Sequence, residues 1–212
     1  MRWFAWMLAG CSAGGALTGE VDATTPMFED AAFIQEADYF GPGQDLIFVR
    51  LGPAGLCEAS AAVATSRIDF YATEDLDQAT NYAEAWQAAF PSDVWLAELL
   101  LRVDDLETSL RGETLPGALN LGNPPEGSLV QAQFLHFFDH FDAVDLTTGQ
   151  PSDYLEAFAS DGGTLSVQGH SPGQSIRGQL DDFVIRFDEA EPLRLAFRAR
   201  HCEAWETQFV AN

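Results

Sequence analysis

The chain has 212 residues, 47% of them hydrophobic and 16 of them Phe, which argues against a disordered protein and favours one domain with a sizeable core. It carries 33 Asp and Glu against 10 cationic residues, for a formal net charge of −23. A field of this sign repels polyanions, so it argues against nucleic acid as a partner and against charge-driven binding of the whole molecule to an anionic membrane.

The N-terminus has the pattern of an export signal. Arg2 is followed by an apolar run from Trp3 to Leu8 and then by Leu8-Ala9-Gly10-Cys11. The run is too short to span a bilayer, which takes roughly 20 apolar residues. These residues resemble the signal peptide (residues 1–10) and lipobox of bacterial lipoproteins. The resemblance implies acylation of Cys11 and, because Ser12 follows, a lipid-anchored location in the outer membrane; the alternative is an ordinary apolar strand.

The next segment lacks the periodicity of a packed element. Residues 11–43 are rich in Gly, Ala, Thr and acids, which predicts an acidic flexible tether between the anchor and a folded domain. A single β domain is predicted over residues 44–212, and it begins with the apolar strand Asp45–Leu51.

The cysteine count predicts a disulfide. Acylation of Cys11 leaves Cys57 and Cys202, and an exported protein folds in an oxidising compartment. A bond between Cys57 and Cys202 is therefore expected. If the protein is instead cytoplasmic, all of these thiols are expected to be free.

Several elements are predicted in the middle of the chain. Arg67–Tyr71 has the composition of a short strand, and the apolar residues from Leu76 to Phe90 recur at helical spacing. Val94–Val103 suits both a strand and a helix, and its position among short β segments favours a strand. Ser128–Phe134 alternates as a strand does, and Tyr154–Phe158 suits a helical turn.

The stretch Gly162–Cys202 predicts three consecutive antiparallel strands. Turn residues at His170–Gln174 separate the first two, and the apolar positions change parity at Asp181-Asp182, which predicts a β-bulge. Leu193 to Ala199 alternates regularly up to the cysteine. With Cys57, this stretch resembles the small all-β domains of uncharacterised Gram-negative lipoproteins, which implies fold and location but no activity.

These elements together predict an all-β fold. We expect an antiparallel sandwich or partly open barrel of about seven strands, with one amphipathic helix covering it.

One motif suggests catalysis and fails on mechanism. Gly169-His-Ser-Pro-Gly173 matches G-x-S-x-G, but Ser171 is predicted between two strands instead of on a strand-to-helix turn. The residue after a hydrolase nucleophile must donate its N–H to the oxyanion, and Pro172 has none. The chain is therefore not expected to be an enzyme.

Metal binding is a weaker candidate. His136 and His140 are four residues apart with Asp139 between them, so on a helix they would share a face and hold Zn²⁺. On a strand they would be ordinary polar positions. Acidic runs at 74–77 and 104–107 offer oxygen ligands for Ca²⁺ but lack EF-hand spacing, and solvated turns explain them better. No cofactor is expected.

The arginines are unevenly distributed. Five of the ten fall in the last three predicted strands. Four of these five would bind an anionic glycan or carboxylate if they shared one face, or would pair with the chain's own acids: Arg177, Arg194, Arg198 and Arg200. Trp86, Trp95 and Trp205 suit a sugar platform or, more simply, a core.

The sequence thus favours a non-catalytic, lipid-anchored envelope protein with a binding or structural role, its protein or glycan partner undefined. The alternative is a metal-dependent module or enzyme that uses His136, His140 and nearby Asp.

Overall fold

The computed structural model describes residues 13–73, 84–90, 93–103, 111–113, 129–137, 144–145, 150–151, 155–185 and 191–210. The strands within these ranges are β1 (Gly14–Thr18), β2 (Met27–Phe28), β3 (Asp30–Glu36), β4 (Asp45–Gly52), β5 (Val94–Val103), β6 (Arg111–Glu113), β7 (Leu129–Phe137), β8 (Val144–Asp145), β9 (Gln150–Pro151), β10 (Leu155–Ser171), β11 (Ser175–Ile185) and β12 (Leu193–His201). The helices are α1 (Leu56–Thr73) and α2 (Glu203–Val210), and residues 84–89 are also helical.

Seven strands close into a mixed barrel. Hydrogen-bonded neighbours run in the order β11, β10, β7, β5, β4, β3 and β12, and β12 pairs again with β11 to complete the ring. The contact between β12 and β3 is parallel and joins Arg200 to Ala32 and His201 to Phe33, whereas the other contacts in the ring are antiparallel. The all-β prediction is confirmed, and the ring is closed. β1 pairs with β12 along the same edge as β3, and β2 pairs with β1.

Side chains that alternate along the barrel strands pack into two hydrophobic cores. The inward set fills the barrel and includes Val49, Leu99, Phe134, Phe183 and Leu195. The outward set on β3, β4, β5 and β7 packs beneath the helices and includes Leu46, Phe48, Leu96 and Leu100, with Trp205 of α2 above them. Because both faces of these four strands are buried, they read as nearly continuous apolar runs.

Helix α1 extends through residues that were predicted to form a strand. Its first half is rich in Ala, which favours helix, and its buried residues Leu56, Ser60, Val63 and Ala64 form one stripe towards the sheet. Once a helix is nucleated, each added residue gains a hydrogen bond. The strand predicted at Arg67–Tyr71 is therefore wrong, because these residues continue α1 to Thr73.

The predicted tether is also wrong from Gly14 onwards. β1 pairs with β12 over Gly14–Thr18, and β3 pairs with β4 over its whole length from Asp30 to Glu36. Ala31, Ala32 and Phe33 are fully buried. The folded unit therefore begins well before residue 44, because partner strands far along the chain supply the hydrogen bonds and cover that a local pattern does not reveal.

The other predictions are mixed. The strands at Val94–Val103 and Ser128–Phe134 are confirmed as β5 and β7, while the helical turn at Tyr154–Phe158 is wrong, since β10 begins at Leu155. Of the helix at Leu76–Phe90, residues 84–89 are helical, and residues 74–83 lie outside the described ranges.

The C-terminal meander is confirmed. β10, β11 and β12 are consecutive antiparallel strands, and the register shifts between Leu180 and Phe183, where the bulge was predicted. Asp182 takes a φ of 56° there. The predicted disulfide is confirmed too: Cys57, at the start of α1, is bonded to Cys202, which precedes α2, across a Cα–Cα distance of 5.6 Å.

Candidate functional site

A cavity of about 410 Å³ opens on the barrel surface where β1, β3, β12 and the start of α1 meet. Two of the four arginines predicted to bind an anion, Arg198 and Arg200, line it. Its other polar residues are Glu29, Asp30, Gln174 and Ser175.

The alternation of β12 brings the arginines to this surface. Leu193, Leu195, Phe197 and Ala199 are buried in the barrel, so Arg194, Arg198 and Arg200 project outward and are exposed. These arginines do share one face, as the sequence analysis required for anion binding.

Arg198 stands directly opposite a second arginine. In the register of β11 and β12 its partner is Arg177, which is also exposed. On the outer side of Arg177 lies Gly169 of β10, and on the outer side of Arg198 lies Gly14 of β1. The two arginines therefore occupy one cross-strand row with a glycine at each end, which leaves the guanidinium groups open to solvent.

The charges of this row are not neutralised by the described part of the chain. No carboxylate oxygen of the described residues lies within 4.0 Å of a guanidinium nitrogen of Arg177 or Arg198. Like charges directly opposite each other on neighbouring strands destabilise a sheet. In a chain with 33 acids, two arginines that face each other without an acidic partner among the described residues are unexpected.

The other two arginines have acidic partners. Arg194 Nε lies 2.6 Å from Asp181 Oδ1, and Arg200 Nη2 lies 3.0 Å from Asp30 Oδ2. The alternative that the arginines pair with the chain's own acids thus holds for Arg194 and Arg200. The side chain of Arg200 is still 52% exposed, and it keeps further N–H donors for a ligand.

Asp30 organises the floor of the cavity. Its Oδ1 accepts a hydrogen bond from the Ala31 N–H at 2.9 Å, and its Oδ2 accepts one from the Leu56 N–H at 3.2 Å. The carboxylate therefore caps the start of α1 and orients Arg200 at the same time. Gly55, with a φ of 81°, makes the turn that brings α1 to this point.

This chemistry suits binding. Guanidinium groups stay protonated at neutral pH and offer planar, paired donors that match carboxylate and phosphate oxygens. The arginines can therefore hold an anion.

The predicted metal site is not assembled as a helical pair. His136 lies on β7, its ring stacks on Trp95 with centroids 4.2 Å apart, and its Nε2 lies 3.3 Å from Asp93 Oδ1. Asp139 and His140 fall outside the described residues, as do the acidic runs at 74–77 and 104–107. Among the residues that are described, no three His, Cys, Asp or Glu side chains group as metal ligands would.

The prediction that the tryptophans belong to the core is confirmed for Trp95 and Trp205, and the alternative of a sugar platform does not hold for them. Trp95 and Trp205 are buried, and Trp86 stacks on Phe137 with a centroid separation of 5.6 Å. The hairpin reading of the G-x-S-x-G motif is confirmed, because residues 172–174 form the turn between β10 and β11 and the Gln174 N–H donates to the Ser171 carbonyl.

Sequence reasoning missed a buried ion pair beneath the helices. Arg50 of β4 and Glu98 of β5 are 2.6 Å apart with side chains only 9% and 6% exposed. The available signal was a charged residue of opposite sign near the middle of each of two largely apolar strands.

Comparison with known proteins gives no relative. No family model, curated protein or solved structure matches the chain. A search of the described helices finds none long and apolar enough to cross a membrane.

Proposed function

We propose that this chain is a non-catalytic, lipid-anchored protein of the bacterial cell envelope that binds an anionic ligand in the cavity lined by Arg198 and Arg200. The Leu8-Ala9-Gly10-Cys11 motif supports the anchor. The Cys57–Cys202 bond supports an oxidising compartment, because structural disulfides persist there.

The observation that carries the binding role is the charge of Arg198. This side chain lines a cavity, lies opposite Arg177 and has no carboxylate partner within the described ranges. A purely structural arginine in so acidic a chain would be expected to pair with one of the acids, as Arg194 does. An anion bound by Arg198 in this cavity offsets the repulsion between Arg198 and Arg177 and gains charge-assisted hydrogen bonds.

Replacing Arg198 tests the binding role. We expect calorimetric titration of the unmodified chain with inorganic phosphate and with citrate to give a measurable Kd for at least one anion. Arg198→Ala should weaken that binding about 10- to 100-fold, because hydrogen bonds to charged groups contribute about 1.5–3 kcal/mol.

Arg194→Ala is the matched control. It removes an exposed arginine from the same face of the same strand, but one that pairs with Asp181 and does not line the cavity. Its Kd should equal that of the unmodified chain. No binding of either anion, or equal losses in the two variants, would refute a specific anion site at Arg198.

A further inference from the structure

We propose that the Arg198 cavity receives the phosphate of a phospholipid headgroup, so that the surface formed by β1, β11 and β12 lies on the membrane. This inference rests on the proposed function, because it takes both the acyl group on Cys11 and the anion site as given.

The first step is the position of the anchor. Ala13 lines the cavity, and β1 is paired with β12 from Gly14 onwards. Cys11 precedes Ala13 by two residues in the sequence. An acyl chain on Cys11 therefore enters the bilayer close to the mouth of this cavity, with no long linker to carry the barrel away.

The second step is the charge of the surface that faces this anchor. Arg177, Arg198 and Arg200 are all exposed there, and the first two have no acidic partner among the described residues. Headgroup phosphates carry their charge on several oxygens, which paired guanidinium groups match. Asp30 pairs with Arg200 and the exposed Glu29 offsets a second charge, so the three arginines leave this surface with a local positive excess next to the anchor.

The third step is orientation. The chain as a whole carries a net charge of −23, so most of its surface is repelled by an anionic bilayer over a screening length of about 8 Å. If the arginine row faces the headgroups, the attractive charges lie closest to the bilayer and the acidic surface lies farther from it. The overall charge, which argues against peripheral binding of an unanchored molecule, therefore orients the anchored one.

Free phosphate and a lipid headgroup share the chemistry that Arg198 recognises, and the position of Ala13 selects the lipid. The test uses the mature chain, residues 11–212, with Cys11→Ser so that no acyl group contributes. Sedimentation with vesicles of phosphatidylcholine, which carry phosphate but no net charge and therefore do not repel the acidic chain, is compared with sedimentation with vesicles of digalactosyldiacylglycerol, an uncharged lipid without phosphate.

We expect binding to the phospholipid vesicles that exceeds binding to the galactolipid vesicles. Arg198→Ala and Arg177→Ala should each lower it about tenfold, the loss expected when one charge-assisted hydrogen bond to a headgroup phosphate is removed. Arg194→Ala should leave it unchanged.

Equal binding to both kinds of vesicle, or binding that Arg198→Ala does not change, would overturn the headgroup assignment. If phosphate binds in an Arg198-dependent manner and the vesicles do not, the headgroup assignment fails and the anion site stands. Mass spectrometry of the native chain from a Gram-negative host tests separately whether Cys11 is acylated. An unmodified Cys11 would overturn the anchor and the membrane orientation together.

Discussion

At the scale of single residues, Arg50 is the centre of a buried network of polar contacts. Its Nε donates to Glu98 Oε1 at 2.8 Å and its Nη1 donates to Ser60 Oγ at 3.0 Å. Glu98 Oε2 accepts a further hydrogen bond from Gln133 Nε2 at 2.7 Å, and the guanidinium carbon lies 4.7 Å from the Trp205 ring centroid. The network therefore connects three barrel strands to α1 and α2.

Removing one member of this pair should be costly. Glu98→Ala leaves Arg50 charged and buried without its carboxylate, and we expect the free energy of unfolding to fall by about 3–5 kcal/mol. Urea denaturation followed by circular dichroism measures the change. The matched control is Arg50→Met with Glu98→Leu, which removes both charges and should be close to neutral. A loss below about 1 kcal/mol for Glu98→Ala would show that the pair is not held in a dry environment.

Glu36 gives a pH-dependent prediction. Burial, followed by repulsion from Glu206, raises the pKa of Glu36 above its ordinary value of 4.5. Its Oε2 is buried and accepts no hydrogen bond from the described residues. The folded state therefore holds this proton more tightly than the unfolded state, so the contribution of Glu36 to stability is present below pH 4.5 and is lost as pH rises through the raised pKa.

Glu36→Gln should thus stabilise the protein at pH 7 and make little difference at pH 4. Thermal unfolding of the variant and the unmodified chain at both pH values tests this. A Tm that is unchanged at pH 7 would contradict the raised pKa.

At the scale of elements, the two helices are held to the barrel by a covalent bond as well as by packing. Cys57 and Cys202 are separated by 145 residues, and Cys202 is buried. The bond fixes the start of α1, which is also the floor of the arginine cavity, next to the start of α2. Loss of the bond should therefore disturb both the stability of the fold and the shape of the cavity.

Replacing Cys57 and Cys202 by Ser should lower the free energy of unfolding by about 2–5 kcal/mol, because the cross-link restricts the unfolded chain. Both the variant and its reference should carry Cys11→Ser, so that no third thiol contributes. Guanidinium denaturation measures the difference, and a reducing agent should produce the same loss in the reference chain only. Equal denaturation midpoints would show that packing alone holds the helices.

At the scale of the whole molecule, the two sides of the barrel differ in the side chains on their outer faces. The outer face of β3, β4, β5 and β7 is covered by helices and is largely apolar. The outer face of β11 and β12 carries the exposed arginine row. This division separates the stabilising side of the protein from the side on which we place its ligand.

The sequence alone determined the features that depend on local patterns. The alternation from Leu193 to Ala199 defined β12 and put its arginines on one face, and the parity change at Asp181-Asp182 marked the bulge. The cysteine count predicted the disulfide correctly. These features follow from side-chain periodicity and residue chemistry, which do not require knowledge of the partner strands.

Only the tertiary structure decided what depends on contacts between distant residues. Gly14 to Glu36 has a linker's composition, yet it forms strands because β12 and β4 supply its hydrogen bonds. Arg67–Tyr71 has a strand's composition, yet it is helical because α1 extends through it. The pairing of Arg177 with Arg198, and the position of Ala13 beside them, arise from strand register and barrel closure. Register is a property of two chain segments together, and neither segment specifies it alone.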